Sequence, residues 1–549
     1  MATVDRPLRV VLLLRTLLAP AWMAELARIL HAAPEFDVSA LLVSHGSRGG
    51  PPKDRPLKRL QRAVSRGCRS PGSGKEDFPR RPFELVDVRE AVPALRVVVM
   101  LDTSCPDDFA SAVDVAIAAN TSLAREQYAA RGLRFRLGVW FSPELDYPDG
   151  CVDSMPPSVE AGLRGAREVA VTVQSVGAKP NVERLVMSAD TSRESLLAMR
   201  NRVDAAWGAA SLVLAALEHA CRDQRSGSGE RSPDEPATAS PGRQSILIDT
   251  KLSRTGRPKL LLYAGRVASG VAKRAALKRV WLLAYQFGDH GDLAPMKDVR
   301  FVVPPADRFW ADPQVVFAGG EYHVFYEEFS YRTGKGHIGT MRLGDRGPLD
   351  ESRVALTSDC HLSYPFVFPF EGEWFMIPES AEAGRIDVFW ADGFPTRWTL
   401  ARTLMDGVRA VDTTVVEHEG RWWLFTTIRK LSGGSSVSHL YLFSADNPLS
   451  EVWEPHPMNP IASGAAGARS AGGIMSCDHR LIRPSQDSRG SYGRRICLSE
   501  ILAMTRDDFR ERPAGVLQPN EANGFVGLHT VSRARDLTII DLLRWRTRL

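Results

Sequence analysis

Cysteine is scarce and scattered in this sequence: Cys68, Cys105, Cys151, Cys221, Cys360, Cys477 and Cys497 are odd in number and form no CxxC pair. That pattern excludes a disulfide framework and a zinc–thiolate site, and predicts reduced thiols and no bound metal. Long apolar runs are missing as well, since no stretch reaches the roughly 18 residues needed to span a bilayer. Leu8 to Leu18 (LRVVLLLRTLL) is interrupted by Arg15, has no A-x-A-like cleavage site after it and runs into AWMAELARIL, which has helical periodicity. It reads as a buried strand followed by a helix, and the expected location is cytoplasmic. Charge of one sign is not in excess: 70 Lys and Arg against 65 Asp and Glu leave +5, too little to call for nucleic acid. A Gly-rich dinucleotide loop is also absent, because the second strand is followed only by SHGSRGG, and no cofactor is expected.

The chain that remains, with 44% hydrophobic and 25% charged residues, is of globular type and too long for one core. Strands are expected at Arg9–Leu14, Val38–Val43, Leu95–Leu101, Val113–Ile117, Leu137–Phe141 and Val169–Val173. Helices are expected at Ala21–His31 and Arg193–Cys221. This order predicts an α/β domain over residues 1–221 built on an open, mostly parallel sheet. The basic, Pro/Gly-rich stretch Pro51–Pro82 reads as a solvated insertion. Residues 222–245, rich in Ser, Gly, Pro and charge, read as a flexible linker. Residues 246–291 read as a basic helical connector, helical from Lys259 to Phe287, with Lys273, Arg274, Lys278 and Arg279 on a polar face. A basic amphipathic helix can lie on an anionic membrane, so 259–287 is a candidate for peripheral membrane contact.

Within the first domain, GVWFSPELDYPDG (Gly138–Gly150) followed by PPSVEAGLRG and VAVTVQSV resembles the formyltransferase fold of methionyl-tRNA and sugar-nucleotide formyltransferases. The resemblance implies an Asn-x-His-Pro signature, whose Asn and His stabilise the oxyanion and handle the amine proton. Here those positions read Trp140, Phe141, Ser142 and Pro143, and only the proline matches, which implies a domain that no longer transfers formyl groups. Asp146 and Asp149 read as solvated loop carboxylates.

The second half repeats itself. WADPQVVFAGGEYHVFYEE, SYPFVFPFEGEWFMIPES and VDTTVVEHEGRWWLFTTI align on Asp312, Tyr364 and Asp412, positions that lie 52 and then 48 residues apart. Gly320, Gly372 and Gly420 follow eight positions on, and Tyr322, Trp374 and Trp422 ten positions on. Each copy is an apolar strand, a Gly-centred turn and an aromatic strand, and the period suits one four-stranded propeller blade. A fourth copy is AGGIMSCDHRLIRPSQD (Ala471–Asp487). The fifth combines Phe525–Ile540 with strand material before Trp310, so residues 292–549 are expected to form a five-bladed propeller closed by its two ends. The fold class is therefore multidomain, an N-terminal α/β sheet followed by an all-β propeller.

Inner strands of a propeller line its channel, so Asp312, Tyr364 and Asp412 should converge, with Glu327 and Glu379 fifteen positions on and Asp487 at the matching end of the fourth copy. Carboxylates around one funnel can perform acid/base chemistry on sugars, and Asp312, Glu379 and Asp412 are the candidate catalytic residues. Trp310, Tyr331, Tyr364 and Trp390 are candidates for stacking on pyranose faces, and His337, His361, Arg483 and Asp487 for the channel mouth. The aromatics at offset ten read as blade core, and Arg483 beside Asp487 reads equally well as a buried ion pair.

The series WADP, FYEEF, YRTGKGHI, HLSYPFVF, MIPES, VDTTVVEHEGRWWLF and RLIRPSQD resembles the amino-terminal domain of glucosamine inositolphosphorylceramide transferases and their bacterial relatives. The resemblance implies a five-bladed propeller akin to furanosidase- and invertase-type glycoside hydrolases. It also implies a sugar or glycoconjugate ligand, a bacterial-type protein and a place in glycan or glycolipid metabolism. The hydrolase pattern implies a base or nucleophile Asp in the first blade, which Asp312 matches, and a modulating Asp in the second, where Tyr364 stands instead. Three functions are therefore expected in order: a sugar-binding propeller, an active carbohydrate enzyme using the channel carboxylates, and a protein-interaction scaffold.

Overall fold

The computed structural model describes residues 6–14, 17–43, 84–100, 113–119, 121, 123–124, 135–146, 156–166, 168–176, 183–192, 198–225, 257–288, 299–433, 437–477 and 479–548. The basic segment 51–82, Asp149 and linker residues 226–245 lie outside them. Two compact units are present, Met1–Val267 with Leu431–Val437, and Ala268–Lys430 with Ser438–Leu549.

The first unit is built on a seven-stranded sheet in the order Arg96–Met100, Phe36–Val43, Leu8–Leu14, Val115–Ala118, Val139–Phe141, Glu168–Val176, Glu183–Ser192. The first five strands are parallel and the last two antiparallel. The central strand Leu8–Leu14 is buried on both faces, as a near-continuous apolar run should be. Leu8, Val10, Leu12 and Leu14 pack with the helices Ala21–Ala32 and Ala198–Arg225, while Val11 and Leu13 pack with Phe141 and Val176 on the other face. The long helix continues through Arg225, past the expected domain end at 221, because ACRDQR keeps helix-forming residues in register. The strand Glu183–Ser192 was not expected, since ERLVMSADTS is too polar to show alternation.

Five antiparallel sheets make up the second unit. The first four blades begin with inner strands Arg308–Ala318, Ser363–Phe370, Ala410–His418 and Ala466–Ser470 with Met475–Cys477. The fifth sheet joins Arg300–Val302 and Leu277–Phe287 from one end of the propeller to Leu537–Thr547, Phe525–Gly527 and Val531–Ala534 from the other. Leu277–Phe287 is thus a strand, where a helix was expected; only Arg257–Ala276 is helical. An unbroken antiparallel ladder from Leu277 opposite Thr547 to Phe287 opposite Leu537 overrides the local helical pattern, because it closes the ring. Among the described residues no helix is long and apolar enough to cross a membrane.

One backbone device recurs in the inner strands. Pairing with the second strand breaks between Ala311 and Gln314, between Ser363 and Phe366, between Val411 and Thr414, and between Ala466 and Ser470. Within the first three breaks sit Asp312, Tyr364 and Asp412 at φ of 50°, 43° and 52°, a left-handed conformation that costs a non-glycine residue of order 1–3 kcal/mol. In the fourth copy the aligned residue is Ala471, and its neighbour Gly472 has φ 132°. Each break is a bulge that re-aims one side chain.

Candidate functional site: a buried carboxylate cluster in the propeller channel

The bulges bring Asp312, Tyr364 and Asp412 into one environment with buried Glu327 and with Glu379, whose side chain keeps 15% of its surface exposed. Asp312 accepts a hydrogen bond from Thr530 Oγ1 at 2.8 Å, has His529 Nε2 3.4 Å from Oδ1, and donates its own N–H to Asp541 Oδ2 at 3.1 Å. Asp412 Oδ2 accepts from Arg469 Nε at 2.7 Å and from Gln486 Nε2 at 3.2 Å. Glu379 lies 3.8 Å from Arg469 Nη2. Tyr364 does not replace a carboxylate chemically: its hydroxyl lies 3.0 Å from Thr414 Oγ1 and accepts from Gly472 N at 2.9 Å, tying three blades together.

Burial is the largest influence on the acids. It pushes Glu327 well above the usual carboxylate range, with Asp312, Glu379 and Asp541 adding repulsion. It pushes Glu379 up likewise, with Asp412 repelling and Arg469 opposing. Asp312 is also raised by burial, against the attraction of His529. Burial disfavours the Arg469 charge, but Asp412, Tyr492 and Glu379 outweigh it and hold the guanidinium cationic. The Tyr492 ring lies 5.5 Å from that guanidinium and edge-on to His529 at 5.3 Å.

Asp541 anchors the far side of the cluster. It is fully buried and accepts from His529 N, Thr530 N and Asp312 N at 2.9, 3.0 and 3.1 Å, while His529 Nδ1 stands 2.6 Å from Oδ2. The imidazole, stacked on Trp281 at 4.1 Å, is thus held between two carboxylates. Burial lowers its proton affinity, but Asp541 and Asp312 raise it further. Asp312, His529 and Asp541 offer three ligand atoms within 4.8 Å of one another, a candidate cation position that the sequence did not announce.

The remaining expected site residues lie elsewhere. Trp310 is buried against Tyr326 and donates Nε1 to Glu328 Oε2 at 2.8 Å, which makes it blade core and not a stacking platform. His337 Nε2 stands 3.4 Å from Glu328 Oε1, on the same side of that blade. Tyr331 lies on the rim with Lys278 Nζ 4.6 Å from its ring, and Trp390 is on the surface, bonded to Glu373. His361 accepts from Gly336 N at 2.9 Å and approaches Glu327 at 3.4 Å, so it backs the cluster. Arg483 pairs with Glu511 at 2.7 Å and not with Asp487. Asp487 is clamped by Arg489 and Arg495, each at 2.7 Å, and is held below the usual carboxylate range because those hydrogen bonds outweigh its burial.

Sequence reasoning missed Arg469, Tyr492, His529 and Asp541. One signal was present: thirteen positions after the aligned residue the first three copies carry Phe325, Ile377 and Phe425, all apolar, while the fifth carries Asp541. In the first unit, Asp146 is not a solvated loop carboxylate. It is buried, takes Thr121 N at 2.6 Å and offers its carbonyl to Arg202 at 2.7 Å.

Residues 299–529 match the family model described as glucosamine inositolphosphorylceramide transferase 1, N-terminal. Glucosamine inositolphosphorylceramide transferase 1 of Arabidopsis thaliana is 36% identical over 206 residues, 37% of this chain and 27% of the relative. The protein of that name from Oryza sativa subsp. japonica is 34% identical over 211 residues, 38% of this chain and 28% of the relative. The chain therefore matches little more than a quarter of these relatives, which are plant proteins, against the bacterial type expected. Among solved structures it resembles Zg3597, a family 117 glycoside hydrolase of Zobellia galactanivorans, at 14% identity and TM-score 0.31, covering 44% of this chain and 76% of that one. It also resembles the RS223 β-xylosidase at 12% identity and TM-score 0.31, covering 42% and 91%. The five-bladed architecture rests on the sheet topology itself. The family match relates the propeller to carbohydrate and glycolipid proteins.

Proposed function

We propose that the propeller channel binds a sugar-bearing ligand, in the setting of glycan or glycoconjugate biosynthesis. The observation that carries this reading is the convergence of buried Asp312, Glu327 and Asp412 with the partly exposed Glu379 and Arg469 in one cluster. Glu327 and Glu379, raised by burial, present carboxylic acids that both donate and accept, and Arg469 adds fixed donors. Sugar hydroxyls need that mixture.

A second reading, an acid/base carbohydrate enzyme, is favoured by the uneven treatment of the acids. Asp312 faces an imidazole and a hydroxyl donor, whereas Glu379 is desolvated and repelled by Asp412. Both carboxyls are raised by burial, but Asp312 has the attraction of His529 and suits the base while Glu379, raised well above the usual range, suits the acid. The test is calorimetric titration with nucleotide sugars, glycosides and free sugars, alongside a turnover screen, for the wild type, Asp312→Asn and Glu379→Gln. Binding without turnover, weakened about tenfold or more by both substitutions, supports the first reading. Turnover abolished by both in folded protein supports the second. No binding to any sugar overturns both.

A further inference from the structure

The third blade opens its inner hairpin on two arginines. Arg429 donates its N–H to Arg409 O at 3.0 Å, just beyond the pair Ala410 and Ile428, so the two residues face each other across the end of the ladder. Like charges set opposite on neighbouring strands are destabilising. Both residues are exposed, and among the described residues neither guanidinium has a hydrogen bond or an ion pair. The fold draws no stability from such a pair.

The carboxyls that could neutralise the two arginines are already engaged. Asp412 Oδ2 lies 2.7 Å from Arg469 Nε, and Glu379 Oε2 lies 3.8 Å from Arg469 Nη2. Burial among the channel walls and the repulsion of Arg469 disfavour the Arg429 charge, Glu379 and Asp412 favour it, and Arg409 repels it again. Arg429 thus stands in the field of the carboxylate cluster while its surface stays open to solvent, as a group on the wall of a concave mouth does. A bound anion would supply the charge that this hairpin lacks, and a guanidinium fork suits phosphate and carboxylate alike.

The equivalent positions of the other copies complete the mouth. Three residues before Asp312, Tyr364 and Asp412 stand Phe309, His361 and Arg409, and seventeen after them stand Phe329, Ala381 and Arg429. Equivalent residues of successive blades lie on one ring about the channel. Phe309 and Phe329 are half-buried and stacked at 4.8 Å, and the Phe329 ring lies 6.0 Å from His361, which approaches Glu327 at 3.4 Å. The ring therefore passes from phenyl groups in the first blade, through an imidazole, to free guanidinium groups in the third. We propose that Arg409 and Arg429 form an anion subsite at the channel mouth, and that the ligand is an acidic sugar whose phosphate or carboxylate they take. The proposal rests on the reading of the channel as a sugar site and narrows the class of sugar.

The experiment is calorimetric titration of the full chain, at low and at physiological salt, with glucose, glucuronic acid, the anomeric phosphate of glucose, the galactose and N-acetylglucosamine counterparts, and inorganic phosphate. In at least one series an acidic member is expected to bind on the order of tenfold or more tighter than its neutral parent, an advantage that shrinks as salt rises. Whether the uronate or the phosphate gains decides which anion the subsite takes. R429Q and R409Q/R429Q should erase the advantage and leave affinity for the neutral sugar within about twofold. Both variants should unfold at the same or a higher urea concentration, because a facing like charge is gone, and R429K should keep part of the advantage. Neutral and acidic sugars bound alike by the wild type overturn the proposal and leave the sugar reading standing, whereas no binding of any sugar overturns both. Inorganic phosphate bound as tightly as the sugar phosphates, an acidic preference that survives R409Q/R429Q, or unfolding of R429Q at lower urea also overturns it.

Discussion

Asp541 illustrates how much a single residue can organise. Three backbone N–H groups and one imidazole converge on its two oxygens, and they come from the first and fifth blades. Because His529 has its pKa raised, its charged form contributes stability that is fully present below the ordinary value of 6.5 and fades as pH rises through the folded-state value. Asp541→Asn removes the strongest attraction. The imidazole should then titrate lower by NMR, and denaturant melts should show a loss of about 3 kcal/mol, most of it below neutral pH. Asp312, Tyr364 and Asp412 were legible from the sequence because copies of a repeat can be compared position by position. Arg469 and His529 were not, because each occurs in one blade: Arg469 meets Asp412 across neighbouring blades, and His529 meets Asp312 only through the ring's closure.

At the level of elements, the turns and aromatic strands of the first three blades were readable because glycine turns and cross-strand aromatics are local chemistry. Leu277–Phe287 was misread for the converse reason: KRVWLLAYQF satisfies a helical pattern, and only a partner far along the chain makes it a strand. The bulge positions likewise give no local signal. Gly472, next to the aligned residue of the fourth copy, shows how closely the blades approach there. At φ 132° an added Cβ would lie 1.9 Å from Val531 O, a backbone atom of the neighbouring blade that already receives constraint from Val531 N bonding to Ala471 O. Gly472→Ala is therefore expected to cost more than about 3 kcal/mol, measured by urea unfolding of the propeller, and to remove the N–H contact on Tyr364.

Across the whole molecule, each unit has its own buried core, so each should respond separately to a change made in it. The first unit contains a sensitive test. Glu144 is fully buried, accepts from Ser158 N at 2.7 Å and Ser158 Oγ at 2.5 Å, and burial raises it to about 7 from 4.5 despite those bonds and Arg202. A raised acid contributes stability that is present below 4.5 and lost as pH climbs through about 7. Calorimetry should show the first unit's transition falling across that window, with Glu144→Gln flattening the fall and leaving the propeller's transition unmoved. The closure of the propeller has a temporal meaning too. Asp312 and Asp541 are 229 residues apart in sequence, yet the channel cluster needs both. A nascent chain therefore cannot close the ring, or give Asp312 N–H its acceptor, until Leu537–Thr547 has been made, although the bulges of the first four blades are already present.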